Sequence, residues 1–283
     1  MRAWIERSFR NRIFLTVLLA ALVPLLLCDV LMTQVMIARS EHTLRTDARE
    51  EMTQLTAQLD ELLAECTELT TSLAESTVTR SALRRGSGDS RTLYQLLNRS
   101  TAARRSYADF DVCDAAGQCL YTTAAERPAA RSTTWGVLHA ARGADAAVLR
   151  TEADGLAGAC PVTARGGTVL GYVVFRMDAA HFDTLFSSLL RGADDILLVD
   201  PTWRMIYASQ PLRAEDTLAL LREQLLAGAP LADTDGERSY YAGACPVSGF
   251  SLILQQPQTY TAQVVRSIYL VAAAMGILCL LLC

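Results

Sequence analysis

The stretch Ala157-Gly-Ala-Cys-Pro-Val162 recurs residue for residue as Ala242-Gly-Ala-Cys-Pro-Val247, and that repetition decides the fold. Cys and Pro are among the rarer residues of the chain, so chance is a poor explanation. The neighbourhoods match too. Asp109-Phe-Asp-Val-Cys-Asp-Ala-Ala-Gly-Gln-Cys-Leu-Tyr121 lies over Asp195-Ile-Leu-Leu-Val-Asp-Pro-Thr-Trp-Arg-Met-Ile-Tyr207, which sets Asp114 on Asp200 and Tyr121 on Tyr207. A period of this size means one structural unit built twice.

Working outward, each copy reads the same way. An apolar strand runs into a turn, Asp114-Ala-Ala-Gly117 or Asp200-Pro-Thr-Trp203, and a second strand ends at Tyr121 or Tyr207, which is a hairpin signature. A helix follows, Thr133 to Arg142 in one copy and Glu215 to Ala227 in the other. Next comes the repeated strand, and a last strand closes each copy, Val169 to Met177 and Phe250 to Gln255. Strand pairs alternating with a covering helix predict α+β architecture with antiparallel sheets.

Ahead of the repeats, Met52, Leu55, Leu59, Leu62, Cys66, Leu69 and Leu73 alternate in steps of three and four among polar residues. This heptad seam predicts a long helix that packs on the chain's own sheets, pairs with a second copy, or does both with separate faces. Arg84-Arg-Gly-Ser-Gly-Asp-Ser90 is the expected stop, followed by a shorter helix to about Arg105.

The ends differ from the middle. Ile13 to Ala38 is almost wholly apolar and exceeds the roughly 20 residues that cross a bilayer. Arg2, Arg7, Arg10 and Arg12 precede it, so residues 1–12 are expected in the cytoplasm and the chain beyond Ala38 outside it. The span's length and the lack of an A-x-A site favour an uncleaved anchor over a signal peptide. Asp29 lies toward the outer end, where it reaches the interface. Ser267 to Cys283 is a second apolar run that stops without a basic flank, and we expect it to be a truncated span. The expected layout is therefore 1–12 cytoplasmic, 13–38 first span, 39–105 stalk and second helix, 106–191 membrane-distal repeat, 192–258 membrane-proximal repeat, and 259–283 linker and second span.

Chemistry is sparse. A formal net charge of −4 without a basic patch excludes a nucleic-acid partner. His42, His139 and His181 have no metal-ligand spacing, no Gly-rich phosphate loop is present, and no catalytic constellation forms, so neither a cofactor nor an active site is expected. Cys113 and Cys119 flank the first hairpin turn at a separation a disulfide accepts; the alternative is two small apolar residues on neighbouring strands. Cys160 and Cys245 occupy equivalent places in different repeats and are expected to be unpaired core residues.

Residues 110–123 (FDVCDAAGQCLYTT), 159–186 (ACPVTARGGTVLGYVVFRMDAAHFDTLF) and 245–257 (CPVSGFSLILQQP) resemble successive elements of the double Cache sensor domain. Their order, duplication and framing by two apolar runs carry the likeness over about residues 40–262. The opening RSFRNRIFLTVLLAALVPLLL, residues 7–27, resembles the start of bacterial sensor histidine kinases carrying that domain. The resemblance implies two tandem PAS-like sheets outside the cell, on a stalk helix and between two membrane helices. The expected partners are a second copy paired through the heptad-bearing stalk helix, and a small-molecule ligand or ligand-loaded binding protein. A ligand would sit in the membrane-distal repeat, which makes Tyr121, Arg131, Trp135 and Arg176 the candidates. Trp offers an apolar wall and Arg a planar fork for an anion. Amino-acid-binding members place an Asp where this chain has Arg176, with Asp178 two residues on; that departure points toward an anionic ligand.

Overall fold

The computed structural model describes residues 2–85, 91–189, 195–210, 218–219, 221–223, 238–257, 266–270 and 273. The expected helix at 215–227 is helical at 218–219 and 221–223, and its other residues lie outside those described; so does most of the expected second span. By its contacts the chain divides into two compact units. One comprises residues 51–233 and 239–256 and holds both sheets; the other comprises residues 1–50, 234–238 and 257–283.

Helix α1 runs from Arg2 to Glu75 with Pro24 inside it. Residues 13–38 are thus helical, but among the described residues no helix is long and apolar enough to cross a membrane. The expected stalk helix breaks earlier than its polar residues suggested. Ser76 interrupts it, its Oγ accepting the Val78 N–H at 3.2 Å and its carbonyl the Arg80 N–H at 3.0 Å. Ser76 therefore caps a separate helix, α2 (Thr77–Arg85), as a serine side chain does at a helix start. Helix α3 (Arg91–Thr101) follows.

The first repeat is a five-stranded antiparallel sheet made by β1 (Asp109–Asp114), β2 (Cys119–Thr122), β3 (Val148–Glu152), β4 (Gly155–Thr163) and β5 (Val169–Asp178) in the order β2-β1-β5-β4-β3. Helix α4 (Gly136–Ala141) lies between β2 and β3 in sequence, and α5 (Ala179–Leu189) continues β5. The second repeat forms a four-stranded sheet from β6 (Asp195–Val199), β7 (Met205–Ala208), β8 (Arg238–Ala244) and β9 (Ser251–Pro257), ordered β7-β6-β9-β8. Strand for strand, β7-β6-β9-β8 repeats β2-β1-β5-β4.

Duplication reaches individual hydrogen bonds. Asp114 Oδ1 accepts the N–H groups of Ala116 and Gln118, and Asp200 Oδ1 those of Thr202 and Arg204. A carboxylate that holds its own turn in this way is an Asx motif. Gly117 and Trp203 take the left-handed conformation at equivalent places, with φ of 85° and 64°. After each hairpin a hydroxyl closes the ladder: the Phe110 N–H donates to Thr123 Oγ1, and the Ile196 N–H to Ser209 Oγ. The shared hexapeptide is less symmetric. Its first copy lies wholly inside the buried strand β4, whereas its second leaves β8 after Ala244 and enters a turn.

The heptad seam has a definite destination. Met52, Leu55, Leu59, Leu62, Cys66 and Leu73 are buried in one core with Phe110, Val112, Phe175, Phe182, Ile196, Leu198 and Leu252. Leu69 packs against the same core. The seam therefore serves the chain's own two sheets. The outward side of α1 is polar: Gln54, Gln58, Glu61, Glu68 and Ser72 are exposed.

One buried carboxylate fixes the stalk to the second repeat. Asp60 on α1 accepts the Val247 and Ser248 N–H groups at 2.9 and 3.0 Å and the Ser248 hydroxyl at 2.7 Å. Asp60→Ala strands these donors and is expected to cost about 2–3 kcal/mol, given charge-assisted bonds and a site only 5% exposed. Thermal melts read the cost, and faster hydrogen exchange at Val247 and Ser248 localises it.

Candidate ligand site on the first sheet

Alternation along the strands gives the first sheet two distinct faces. Phe110, Val112, Tyr121, Val173, Phe175 and Met177 point into the core shared with α1. Cys113, Cys119, Ala157, Ala159, Tyr172 and Val174 point the other way, where Val137, Leu138 and Ala141 of α4 cover them. The segment from Thr123 to Trp135 delivers α4 to this second face. Its anchor is a close approach: the Arg131 N–H donates to Gly117 O at 2.9 Å, and a Cβ on Gly117 would stand 2.0 Å from Arg131 O. Only glycine fits there.

Glu152 on β3 ties the same segment down from the far side. Its Oε2 pairs with Arg131 Nη1 at 2.8 Å, and its Oε1 accepts the Val137 N–H at 3.0 Å in the first turn of α4. Trp135 is the residue before α4, with extended backbone, and its side chain is 70% exposed.

Arg176 sits near the end of β5 between two carboxylates of β1. Nε donates to Asp111 Oδ2 at 2.9 Å, and Nη2 lies 3.3 Å from Asp109 Oδ2. The other oxygen of Asp111, a fully buried residue, accepts the Thr122 hydroxyl at 2.7 Å. Around this pair, His181 Nδ1 is 2.7 Å from Asp178 Oδ1, and its Nε2 is 4.0 Å from Asp109. Burial pushes the Asp109 carboxyl up, against the pull of His181 and Arg176. Burial also acts to raise Asp178, but its hydrogen bonds from His181 prevail and hold it below the usual carboxylate range.

Of the four expected residues, Arg176 lies on β5, and Arg131 and Trp135 lie on the segment that leads into α4. Tyr121 lies on the opposite face, in the α1 core. The cause is the bulge in the hairpin: the register shifts between the Val112–Tyr121 and Cys113–Cys119 pairs, so Tyr121 faces the α1 core with Val112 while Cys119, two residues before it, faces α4 with Cys113. Neither guanidinium is an open fork, since Glu152 holds Arg131 and Asp109 with Asp111 holds Arg176. The sequence reading missed Asp109, Asp111 and Glu152. Asp109-Phe-Asp111 carried a usable signal, because residues i and i+2 of a strand share a face. Among the described residues, no three His, Cys, Asp or Glu side chains group as metal ligands.

Side-chain contacts join the two repeats. Tyr207 OH donates to Asp183 Oδ1 at 2.5 Å, and its ring packs 5.3 and 5.4 Å from Phe182 and Phe186 of α5. Thr151 on β3 donates to Asp200 Oδ2 at 2.9 Å. Burial acts to raise the Asp200 carboxyl, but bonds from Thr202, Arg204 and Thr151 outweigh it and hold the group low. A depressed folded-state pKa contributes stability above the ordinary carboxylate pKa, and that contribution is lost as pH falls through the folded value. The melting temperature should therefore drop between about pH 5 and pH 2, and Asp200→Asn should flatten this part of the profile.

No family model matches the chain, and no curated protein matches it. Solved structures do. The sensor domain of the V. cholerae histidine kinase DctB aligns with a TM-score of 0.54 at 13% identity, over 77% of this chain and 98% of that one. The extracellular domain of the putative histidine kinase soHK1S-Z6 gives 0.58 at 12% identity, over 79% and 97%. The ligand-binding domain of the Pseudomonas fluorescens chemoreceptor CtaA, in complex with L-leucine, gives 0.52 at 15% identity, over 78% and 97%. The chain has the fold of extracellular sensor domains of histidine kinases and chemoreceptors, in agreement with the double Cache resemblance.

Proposed function

We propose that this chain is the extracytoplasmic ligand-sensing input of a bacterial transmembrane receptor, with a histidine kinase as its output. The observation that carries the reading is the tandem of like sheets on one stalk helix, a fold aligned over nearly the whole length of receptor sensor domains. In this reading residues 13–38 and 267–283 are the membrane helices and residues 39–266 lie outside. A small molecule binds the first sheet under the Thr123–Trp135 segment. Arg131 and Arg176 receive an anionic group by exchanging Glu152 and Asp109 for it, and Trp135 folds inward as a wall. The shift passes through α5 to Tyr207 and through Thr151 to Asp200, and a coupling of about 1–3 kcal/mol suffices. A homodimer of the receptor pairs through the outward polar side of α1, because the apolar seam is already buried.

Two experiments test this. Trypsin added to spheroplasts should cut at Arg165, in the exposed turn between β4 and β5, while the chain in intact cells, whose outer membrane excludes the protease, stays whole; protection in spheroplasts overturns the topology. A thermal-shift screen of the purified chain against small metabolites should give a hit that the double change Trp135→Ala and Arg131→Ala removes. A hit that survives both changes moves the site elsewhere.

A further inference from the structure

Cys113 and Cys119 face each other as Cα partners across the β1–β2 hairpin, beside a bulge between Val112 and Cys113. Directly opposed residues of antiparallel strands hold their Cα atoms about 4.5–5.5 Å apart, inside the roughly 4.4–6.8 Å that a disulfide spans. Both side chains point to the α4 face and are 1% and 6% exposed. Both are free thiols, and Cys119 Sγ donates to the Tyr121 carbonyl at 3.3 Å.

We propose that Cys113 and Cys119 form a reversible dithiol–disulfide couple, oxidised by exchange with a low-molecular-weight or protein disulfide. The two thiols have different roles. Cys119, the more exposed of the two, attacks one sulfur of the incoming disulfide and releases its other half as a thiol. Cys113 then loses its proton and attacks the mixed disulfide at Cys119, which frees the second thiol. Two protein thiols are oxidised and one external disulfide is reduced to two thiols, so the exchange balances. The remaining buried cysteines are poor competitors: burial pushes Cys66 up to about 12 and Cys245 up to about 11, and raises Cys160.

Position gives the couple a consequence. The hairpin it would clamp carries Gly117, whose carbonyl anchors Arg131, so oxidation stiffens the floor beneath the segment bearing Arg131 and Trp135. This inference stands apart from the receptor reading, because it depends on the hairpin alone.

The full chain, equilibrated in buffers of varied reduced-to-oxidised glutathione ratio, quenched in acid, alkylated and digested with trypsin, gives the answer. Residues 106–131 form one tryptic peptide holding both thiols, since the Arg127–Pro128 bond resists trypsin. The expected result is a sigmoidal shift from two alkylated cysteines to an internal disulfide, reversed by dithiothreitol, with a melting temperature higher by about 4–8 °C in the oxidised form. Cys113→Ser should trap glutathione on Cys119, and Cys119→Ser should leave Cys113 unmodified. A peptide alkylated at both positions throughout, or bridged throughout, overturns the couple; glutathione trapped on Cys113 instead overturns the roles.

Discussion

Asp111→Ala is expected to lower the unfolding free energy by about 3 kcal/mol, near the lower end for breaking a buried ion pair because Arg176 keeps 22% of its side-chain exposure. The carboxylate is fully buried and both oxygens are engaged, one by Arg176 and one by Thr122. Its removal leaves the guanidinium with Asp109 alone, at 3.3 Å. Most of the loss comes from the charge left behind, not from the attraction removed. Asp111→Ala combined with Arg176→Met should therefore recover a substantial part of it. Thermal or denaturant unfolding of the four proteins in the cycle measures this. A cost below about 1 kcal/mol for Asp111→Ala would place the pair in solvent-screened surroundings, contrary to the structure.

Leu59→Ala should cost about 2–5 kcal/mol, since Leu59 is completely buried where α1 crosses the sheets. The second readout matters more. With the seam serving the chain's own core, the loss in melting temperature should be the same at low and high protein concentration. A seam that joined two copies would give a loss that shrinks as concentration rises, by mass action. Gln58→Ala or Glu61→Ala, on the outward side, should change the stability of the monomer by less than about 0.5 kcal/mol.

Much of this fold was legible in the sequence, because a duplicated chain states its plan twice. The Asp-led hairpins, with a residue of positive φ three places after each Asp, turned out equivalent down to their hydrogen bonds. What escaped notice has physical causes. Strand β3, Val148–Glu152, is only half-buried at the sheet edge, and its Arg150 and Glu152 hide any apolar alternation. Ser76 looks like one more polar residue in a helix, and only its hydrogen bonds reveal a cap. The heptad period could not say whether the seam met sheets or a second copy, since both bury the same side chains.

The site was less legible than the fold. Arg176 looked like a free fork because its partners lie 65 and 67 residues away, and only the β1–β5 register brings Asp111 and Asp109 to it. Arg131 and Glu152 meet across a separation of 21 residues for the same kind of reason. The hairpin bulge turns Tyr121 into the α1 core, away from Cys119 two residues before it. Local pattern identifies which residues share a strand; the facing charges are set by topology.

Hydrogen exchange of the full chain, with and without the metabolite giving the largest thermal shift, tests the sensing account most directly. The account predicts slowed exchange in 119–137 and 169–178, with a smaller change around Tyr207. Protection confined to 238–257, or none anywhere despite the thermal shift, would contradict it.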